Sequence, residues 1–384
     1  MSPTRLFSKS KTRLYAVIDI GSYSIKSVIF EKSAAPGKIP KIFKKTALKL
    51  QFSQEPSSIV SKLREMLFAM VRELEVVPEK ITVGIGPSLG KYLYQRWSIR
   101  PTGGEKIISK RELAKYFQNL FEQHRDPSLA MIAYPAEVYA NGYYIYNEGS
   151  FPVLERSSIK EVAFHTLALV FIPEIGISLA DTKRSLGGLP IDFIPLAAAE
   201  KHAVAEFLKI SDVLLVDVGG EETTLVLLKE GRLAEVASFP FGGQHFLRGI
   251  AKIASISLEE AEDLKRQYAE GLISGAVKNT LSDFLADESN LWKSMFLREL
   301  DNFYPFGPLS KAVFLSGEGA YLPEISAILR SSWMQNFSYA DSPEVRIIHG
   351  SSIFGGDSLG GFIQGPEDIG LASLITYSSF HESR

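Results

Sequence analysis

The chain contains no cysteine among its 384 residues, which excludes disulfides, thiolate metal sites and a cysteine nucleophile and suits a reducing compartment. It also lacks an excess of either charge. Its 42 Lys and Arg against 44 Asp and Glu leave a net −2, so no nucleic-acid partner is expected, because such binders carry a strong basic surplus. Long apolar runs are missing too: no stretch approaches the roughly 18 residues that suggest a spanning helix. The opening MSPTRLFSKSKTR has basic residues but no apolar region behind them, so a secretion signal is not expected and the setting reads as cytoplasmic. That segment carries Arg5, Lys9, Lys11 and Arg13 with no acid, around Leu6 and Phe7. It reads as a flexible solubilising tail over residues 1–12, or as a weak contact with an anionic membrane worth about 1 kcal/mol per basic residue.

What is present is an ordinary globular composition, 45% hydrophobic and 22% charged, in a chain too long for one core. Two domains of about 150 to 200 residues are the natural expectation. VIDIGSYSIK, residues 17–26, lies between strand-like runs and reverses at Gly21, Ser22 and Tyr23. Asp19 sits inside the first apolar run, where an unpaired carboxylate is costly to bury. It is salt-bridged, exposed by twist, or faces a cation. KIFKKTALKLQF then reads as a strand, SSIVSKLREMLFAMVREL as a helix with Ile59, Leu63, Leu67, Met70 and Leu74 at helical spacing, and KITVGIG as a strand.

From about Gly86 to Phe164 the texture changes to a small α+β insertion. A capping box, Ser109 with Glu112, opens a helix, and two runs rich in β-branched and aromatic residues follow. ADTKRSLGGLPIDFIPLAAAEKHAVAEFL reads as one or two helices, and SDVLLVDVGGEETTLVLLKEGRLAEVASFPFG as three strands. The segment after it is mostly helical, with Ser257 and Glu260 as a second capping box. A polar region to about Pro308 precedes a strand, a glycine turn and a helix in KAVFLSGEGAYLPEISAILRSSW.

LLVDVGGEETTLVLL repeats the device of VIDIGSYSIKSVIF: strand, acid, aliphatic residue, glycine, short polar loop, strand. Asp19 matches Asp217 and Gly21 matches Gly219, a repeat at about 200 residues that points to two similar facing domains. Glycine turns let backbone N–H groups surround anionic oxygens. Two carboxylates beside them suit Mg²⁺, which keeps several waters and bridges substrate phosphates. Lys26 adds a point charge. In LSGEGAYLPEI, two glycines between strand and helix let the backbone pass close to a flat ring.

These three motifs, in this order, resemble the phosphate-1, phosphate-2 and adenosine signatures of the actin-like ATPases, and within them the FtsA and PilM branch, over roughly residues 13 to 378. The resemblance implies an α/β, ribonuclease H-like two-domain fold with an SHS2-like insertion at 86–164. The first domain would span 13–200 and the second 201–384, with a helical subdomain at about 244–309. It implies ATP and Mg²⁺ as ligands, with Asp19 and Asp217 at the metal, largely through water. The nucleotide would be held by Asp19, Gly21, Ser22, Tyr23, Ser24, Lys26, Asp217, Gly219, Gly220, Glu221, Thr223, Gly317, Gly319, Ala320 and Tyr321, and its adenosine by Glu262 and Lys265. MIAYPAEVYANGYYIYN is similar to the hairpin of the FtsA insertion.

This chain departs from the family at GGEETT, where Glu221 and Thr224 replace a third glycine and an acid. It departs again at Glu318 between the adenosine-motif glycines, at Tyr23, and at Ile194, where filament-forming relatives carry a water-positioning glutamate. The expectation is at most a slow ATPase. The implied role is a scaffold at the inner face of the cell envelope, FtsA-like and bound to the FtsZ tail, or PilM-like and bound to the short cytoplasmic tail of a pilus membrane protein. Self-assembly into filaments is a further implication. The ending DIGLASLITYSSFHESR reads as the last helix of the fold, without the amphipathic membrane helix of FtsA. A sugar kinase or a pseudo-ATPase without nucleotide are the competing readings. His165, His202 and His245 show no metal-ligand spacing and read as structural.

Overall fold

The computed structural model describes residues 13–32, 40–50, 55–73, 77–102, 107–147, 154–155, 159–303, 305, 307–331, 343–357 and 359–380. The basic N-terminal segment, Leu74 and the last four residues lie outside these. The chain runs through β1 (Leu14–Ile20), β2 (Ser24–Glu31), β3 (Lys41–Lys49), α1 (Pro56–Glu73) and β4 (Lys80–Ile85). The inserted region holds β5 (Lys91–Ile99), β6 (Ile107–Ile108), α2 (Lys110–His124), β7 (Ala130–Ala140), β8 (Tyr143–Asn147), β9 (Leu154–Glu155) and β10 (Val162–Phe171). There follow α3 (Pro173–Ser185), β11 (Ile191–Pro195), α4 (Leu196–His202), β12 (Val213–Val218), β13 (Thr223–Lys229) and β14 (Arg232–Phe239). The rest comprises α5 (Gly243–Ala254), α6 (Leu258–Ala269), α7 (Gly275–Asp301), β15 (Ala312–Ser316), α8 (Pro323–Arg330), β16 (Glu344–Ile347) and α9 (Ile369–Phe380).

Two five-stranded sheets share one plan. The first has the order β11-β4-β1-β2-β3 and the second β14-β13-β12-β15-β16, the same arrangement in reverse. In each, a meander of three antiparallel strands is extended by two parallel ones. The parallel strands are added through crossovers that contain helices, which cover the sheet faces. This is the α/β actin-like fold that the motifs imply. A third sheet, β5-β10-β7-β8, is antiparallel and packs on α2 around Trp97, Leu113, Leu120 and Phe164.

Burial along β12 alternates between two cores, as strand geometry requires. Val213 and Leu215 join the core shared with the first sheet, whereas Leu214, Val216 and Val218 join the core formed by α5 to α8. Between the sheets lie α4 and α9. Helix α9 is apolar all round, and Leu371, Ala372, Leu374 and Ile375 are all fully buried. The sequence places this helix with the second domain, yet it packs in the core of the first sheet, because chain order alone does not say where a returning helix docks.

Two elements differ from the sequence expectation. IDFIP is a strand, β11, within a segment read as helical; its five residues are too short for periodicity to separate it from its neighbours. The region to Pro308, read as polar, contains the 27-residue α7, whose Leu281, Leu285, Trp292, Phe296 and Leu300 form one buried stripe. Ser109 caps α2 by accepting the Glu112 N–H at 3.2 Å, and Ser257 with Glu260 caps α6 reciprocally. The α1 face of Ile59, Leu63, Leu67 and Met70 is buried as its spacing predicts.

Candidate functional site

The two meanders meet turn to turn. Gly21 N–H donates to the Ser24 carbonyl at 3.1 Å, and Gly219 N–H to the Glu222 carbonyl at 3.0 Å, so the two turns are closed by the same bond at matched positions. In β1 and β2, Asp19 pairs with Lys26; in β12 and β13, Asp217 pairs with Thr224. The sequence reading chose Thr223. Strand register puts that side chain on the opposite face, where its hydroxyl donates to the Phe241 carbonyl at 2.6 Å and accepts from Trp292 Nε1 at 2.9 Å. Thr224 is the one facing the cleft.

Between the turns opens a cleft lined by Asp19, Gly21, Ser22, Tyr23, Ser24, Lys26, Asp217, Gly219, Gly220 and Gly317 from the expected set. The turns also touch each other. Glu221 N–H donates to Ser22 Oγ at 2.9 Å, and a Cβ on Gly220 would lie 2.4 Å from that of Tyr23. Behind the second turn, the first N–H groups of α5, which have no partner within the helix, find the loop carbonyls: Gly243 N to Gly219 O and Gln244 N to Gly220 O, both 2.8 Å. Because the peptide is trans, turning the Gly219 carbonyl toward α5 points the Gly220 N–H the other way, toward the cleft. Gly317, at φ +82°, has no room for a side chain: a Cβ there would lie 2.3 Å from the Val218 carbonyl and 2.7 Å from Asp217 Oδ1.

The electrostatics are strongly one-sided. Six acids, Asp19, Glu200, Asp217, Glu222, Glu318 and Glu367, line the cleft with one base, Lys26. Burial pushes the Asp19 carboxyl up to about 6; Lys26 opposes this, and Asp217 and Asp368 add to it. Among the described residues Asp19 Oδ1 is buried with no hydrogen-bond partner. Burial also raises Asp217, against the Ser316 hydroxyl that donates to its Oδ1 at 3.0 Å and against Lys26. Lys26 itself donates to the Glu367 carbonyl at 2.6 Å.

Other expected residues lie elsewhere. The Glu221 carboxylate is turned away and held in a two-pronged pair by Arg248 of α5, at 2.8 and 2.9 Å. Glu222 takes its place in the cleft. Glu262 pairs with Lys49 of β3 at 3.2 Å, an exposed bridge between the two halves. Lys265 stands near Glu262 and Glu318, and burial holds its pKa below the usual lysine range. Gly319 and Ala320 are buried, a Cβ on Gly319 falling 2.2 Å from Val218, while the Tyr321 ring is exposed. The cleft reaches Gly317 and Glu318 but is not lined by these five.

Sequence reasoning missed Glu200, Glu222 and Thr224. Aligning GSYS with GGEE from the matched glycines would have placed Glu222 opposite Ser24. Glu200 shows only as the single acid at the end of an alanine run. Among the described residues no helix is long and apolar enough to cross a membrane.

A family model described as "Cell division protein FtsA" matches residues 214–358, from β12 through the second turn and the Gly317 turn. Over 98 residues the chain is 33% identical to the ethanolamine utilization protein EutJ of Escherichia coli (strain K12), covering 26% of this chain and 33% of that protein. Over 108 residues it is 28% identical to the cell division protein FtsA of Bacillus subtilis (strain 168), covering 28% of this chain and 24% of the other. The chain thus spans a third or less of the length of these curated relatives. The solved structure of a "PilM-PilN type IV pilus biogenesis complex" matches over 95% of this chain and 98% of that one, with a TM-score of 0.61 at 16% identity. These findings bear out the actin-like α/β fold read from the motifs, and the likeness to FtsA lies in residues 214–358.

Proposed function

We propose that the chain binds ATP with Mg²⁺ between its two five-stranded sheets, as two actin-like domains, and uses the liganded cleft to set its attachment as a scaffold in a cell-envelope machine. One observation carries this: two glycine turns closed by the same hydrogen bond bring Asp19 and Asp217 into a single cleft. The residues present fit the implied ligands. Among the described residues Asp19 Oδ1 is a buried acceptor without a donor, and Gly317, where a Cβ would collide with Val218 and Asp217, lets the chain pass close beside the Asp217 carboxylate. Among the described residues no three His, Cys, Asp or Glu side chains are grouped to hold a metal by themselves. A cation here would take Asp19 and Asp217 and complete its shell with water and phosphate oxygens, as Mg²⁺ prefers. Its charge would also offset the acids that otherwise repel a triphosphate.

Calorimetry with Mg-ATP on wild type and Asp19→Ala tests the reading. Wild type is expected to bind and the variant to bind at least tenfold more weakly; equal heats remove Asp19 from the site. The partner is a short peptide: the FtsZ tail, supported by the family model over 214–358, or the cytoplasmic tail of a pilus membrane protein, supported by the whole-chain likeness to the PilM-PilN structure. Pull-down with both peptides separates them, and capture of neither removes the basis for either.

A further inference from the structure

Hydrolysis needs a group that orients water and accepts its proton. At Ile194, where such a glutamate is expected, the side chain is apolar and buried. The cleft's own acids can be sorted by what already holds them. Asp19 and Asp217 stand at the strand ends beside the two turns, opposite Lys26 and Thr224. A Ser88 backbone N–H bonds the Glu222 carboxylate. Glu318 is faced by Lys26 and Lys265, and Glu367 meets the Tyr321 hydroxyl at 3.5 Å.

Glu200 remains. It lies on α4 four residues after Leu196, hence on the same helix face, and both side chains line the cleft. Only 2% of it is exposed, and every influence on it disfavours the charge: burial first, then Asp217 and Asp19. A buried carboxyl facing two others with no cation of its own is costly. Among the described residues no hydrogen bond or ion pair holds its carboxylate.

We propose that the Glu200 carboxylate orients the attacking water and takes its proton when a nucleoside triphosphate is hydrolysed in this cleft, a role that rests on the nucleotide reading above. The water oxygen forms a bond to the γ-phosphorus as the bond from that phosphorus to the bridging oxygen breaks. The bond pair stays on the diphosphate, and the water proton passes to Glu200 and then to the released phosphate. A divalent cation entering with the phosphates offsets Asp19 and Asp217, the two charges that disfavour the ionised form.

The test compares wild type, Glu200→Gln and Asp19→Ala by Mg-ATP calorimetry and by phosphate release in single turnover. Expected is Glu200→Gln binding within threefold of wild type with phosphate release at least tenfold slower, whereas Asp19→Ala loses binding. Release at the wild-type rate by Glu200→Gln, no release by wild type, or loss of binding by Glu200→Gln overturns the role of Glu200 and leaves the nucleotide reading standing. Failure of wild type to bind Mg-ATP instead overturns that reading. Should Glu200→Gln fail to fold, Glu200→Asp replaces it, and release by this shorter carboxylate at the wild-type rate counts against the proposal.

Discussion

Burial and the neighbouring Asp217 push the Glu222 carboxyl up to about 8, against the N–H that Ser88 donates to it. In the unfolded chain the same group ionises near 4.5, the ordinary value for a glutamate side chain. Below that value both states keep the proton and nothing is lost. As the pH rises, the unfolded chain ionises first, so the folded state loses stability until the pH passes about 8. At full ionisation the cost is on the order of 5 kcal/mol. The ligand-free protein should therefore melt at progressively lower temperature between pH 4.5 and about 8. Glu222→Gln, which cannot ionise, should flatten that decline. Thermal melts of both proteins at several pH values check this; parallel curves would mean that Glu222 ionises in the folded state without cost. Alignment of the two turns places Glu222 opposite Ser24, but its burial beside Asp217 arises only on folding, when the Gly219 turn bonds its carbonyl.

At the scale of elements, what was legible in the sequence is what repeats. Asp19 with Gly21 and Asp217 with Gly219 mark two turns of the same geometry, and the fold follows from placing two such meanders face to face. The buried face of α1 was legible because helical spacing reports burial directly, whereas β1 is buried along its whole length and has no exposed face to read. Register was not. Thr223 and Thr224 are chemically identical neighbours, and only the pairing of Asp217 with Thr224 decides which of them enters the cleft. Glu221 failed for a different reason. Its partner Arg248 lies 27 residues on, and the fork forms only because α5 starts against the second turn. Strand β11 failed because five residues carry too little pattern, and it matters because it delivers α4, and hence Glu200, beneath the cleft.

For the whole molecule, the inserted sheet is more than an appendage of the first half. Glu137 of β7 is 1% exposed, and its carboxylate accepts the Leu233 N–H of β14 at 3.0 Å and the Tyr139 hydroxyl at 2.6 Å. Tyr94 of β5 donates to the Leu233 carbonyl at 2.5 Å, so both polar groups of one edge-strand residue are held by the insertion. The second sheet is thus fastened to the first half through the core it shares with α4 and α9, through the cleft, by Ser22 with Glu221 and Lys49 with Glu262, and through this clasp. The contacts in the cleft are few and partly exposed, and surface ion pairs are worth little, whereas the clasp is buried. Opening of the cleft should then leave the clasp intact and pivot about it. Glu137→Ala strands the buried Leu233 N–H, at a cost of about 1 to 3 kcal/mol. Hydrogen exchange is the sensitive readout: the Leu233 amide should exchange at least tenfold faster in Glu137→Ala, while amides of β12, in the centre of the same sheet, keep their protection. Glu137→Gln, whose side-chain carbonyl still accepts, should fall between the two. Unchanged exchange at Leu233 in Glu137→Ala would show that Glu137 does not hold this edge strand, and the clasp would then have no mechanical part in the opening of the cleft.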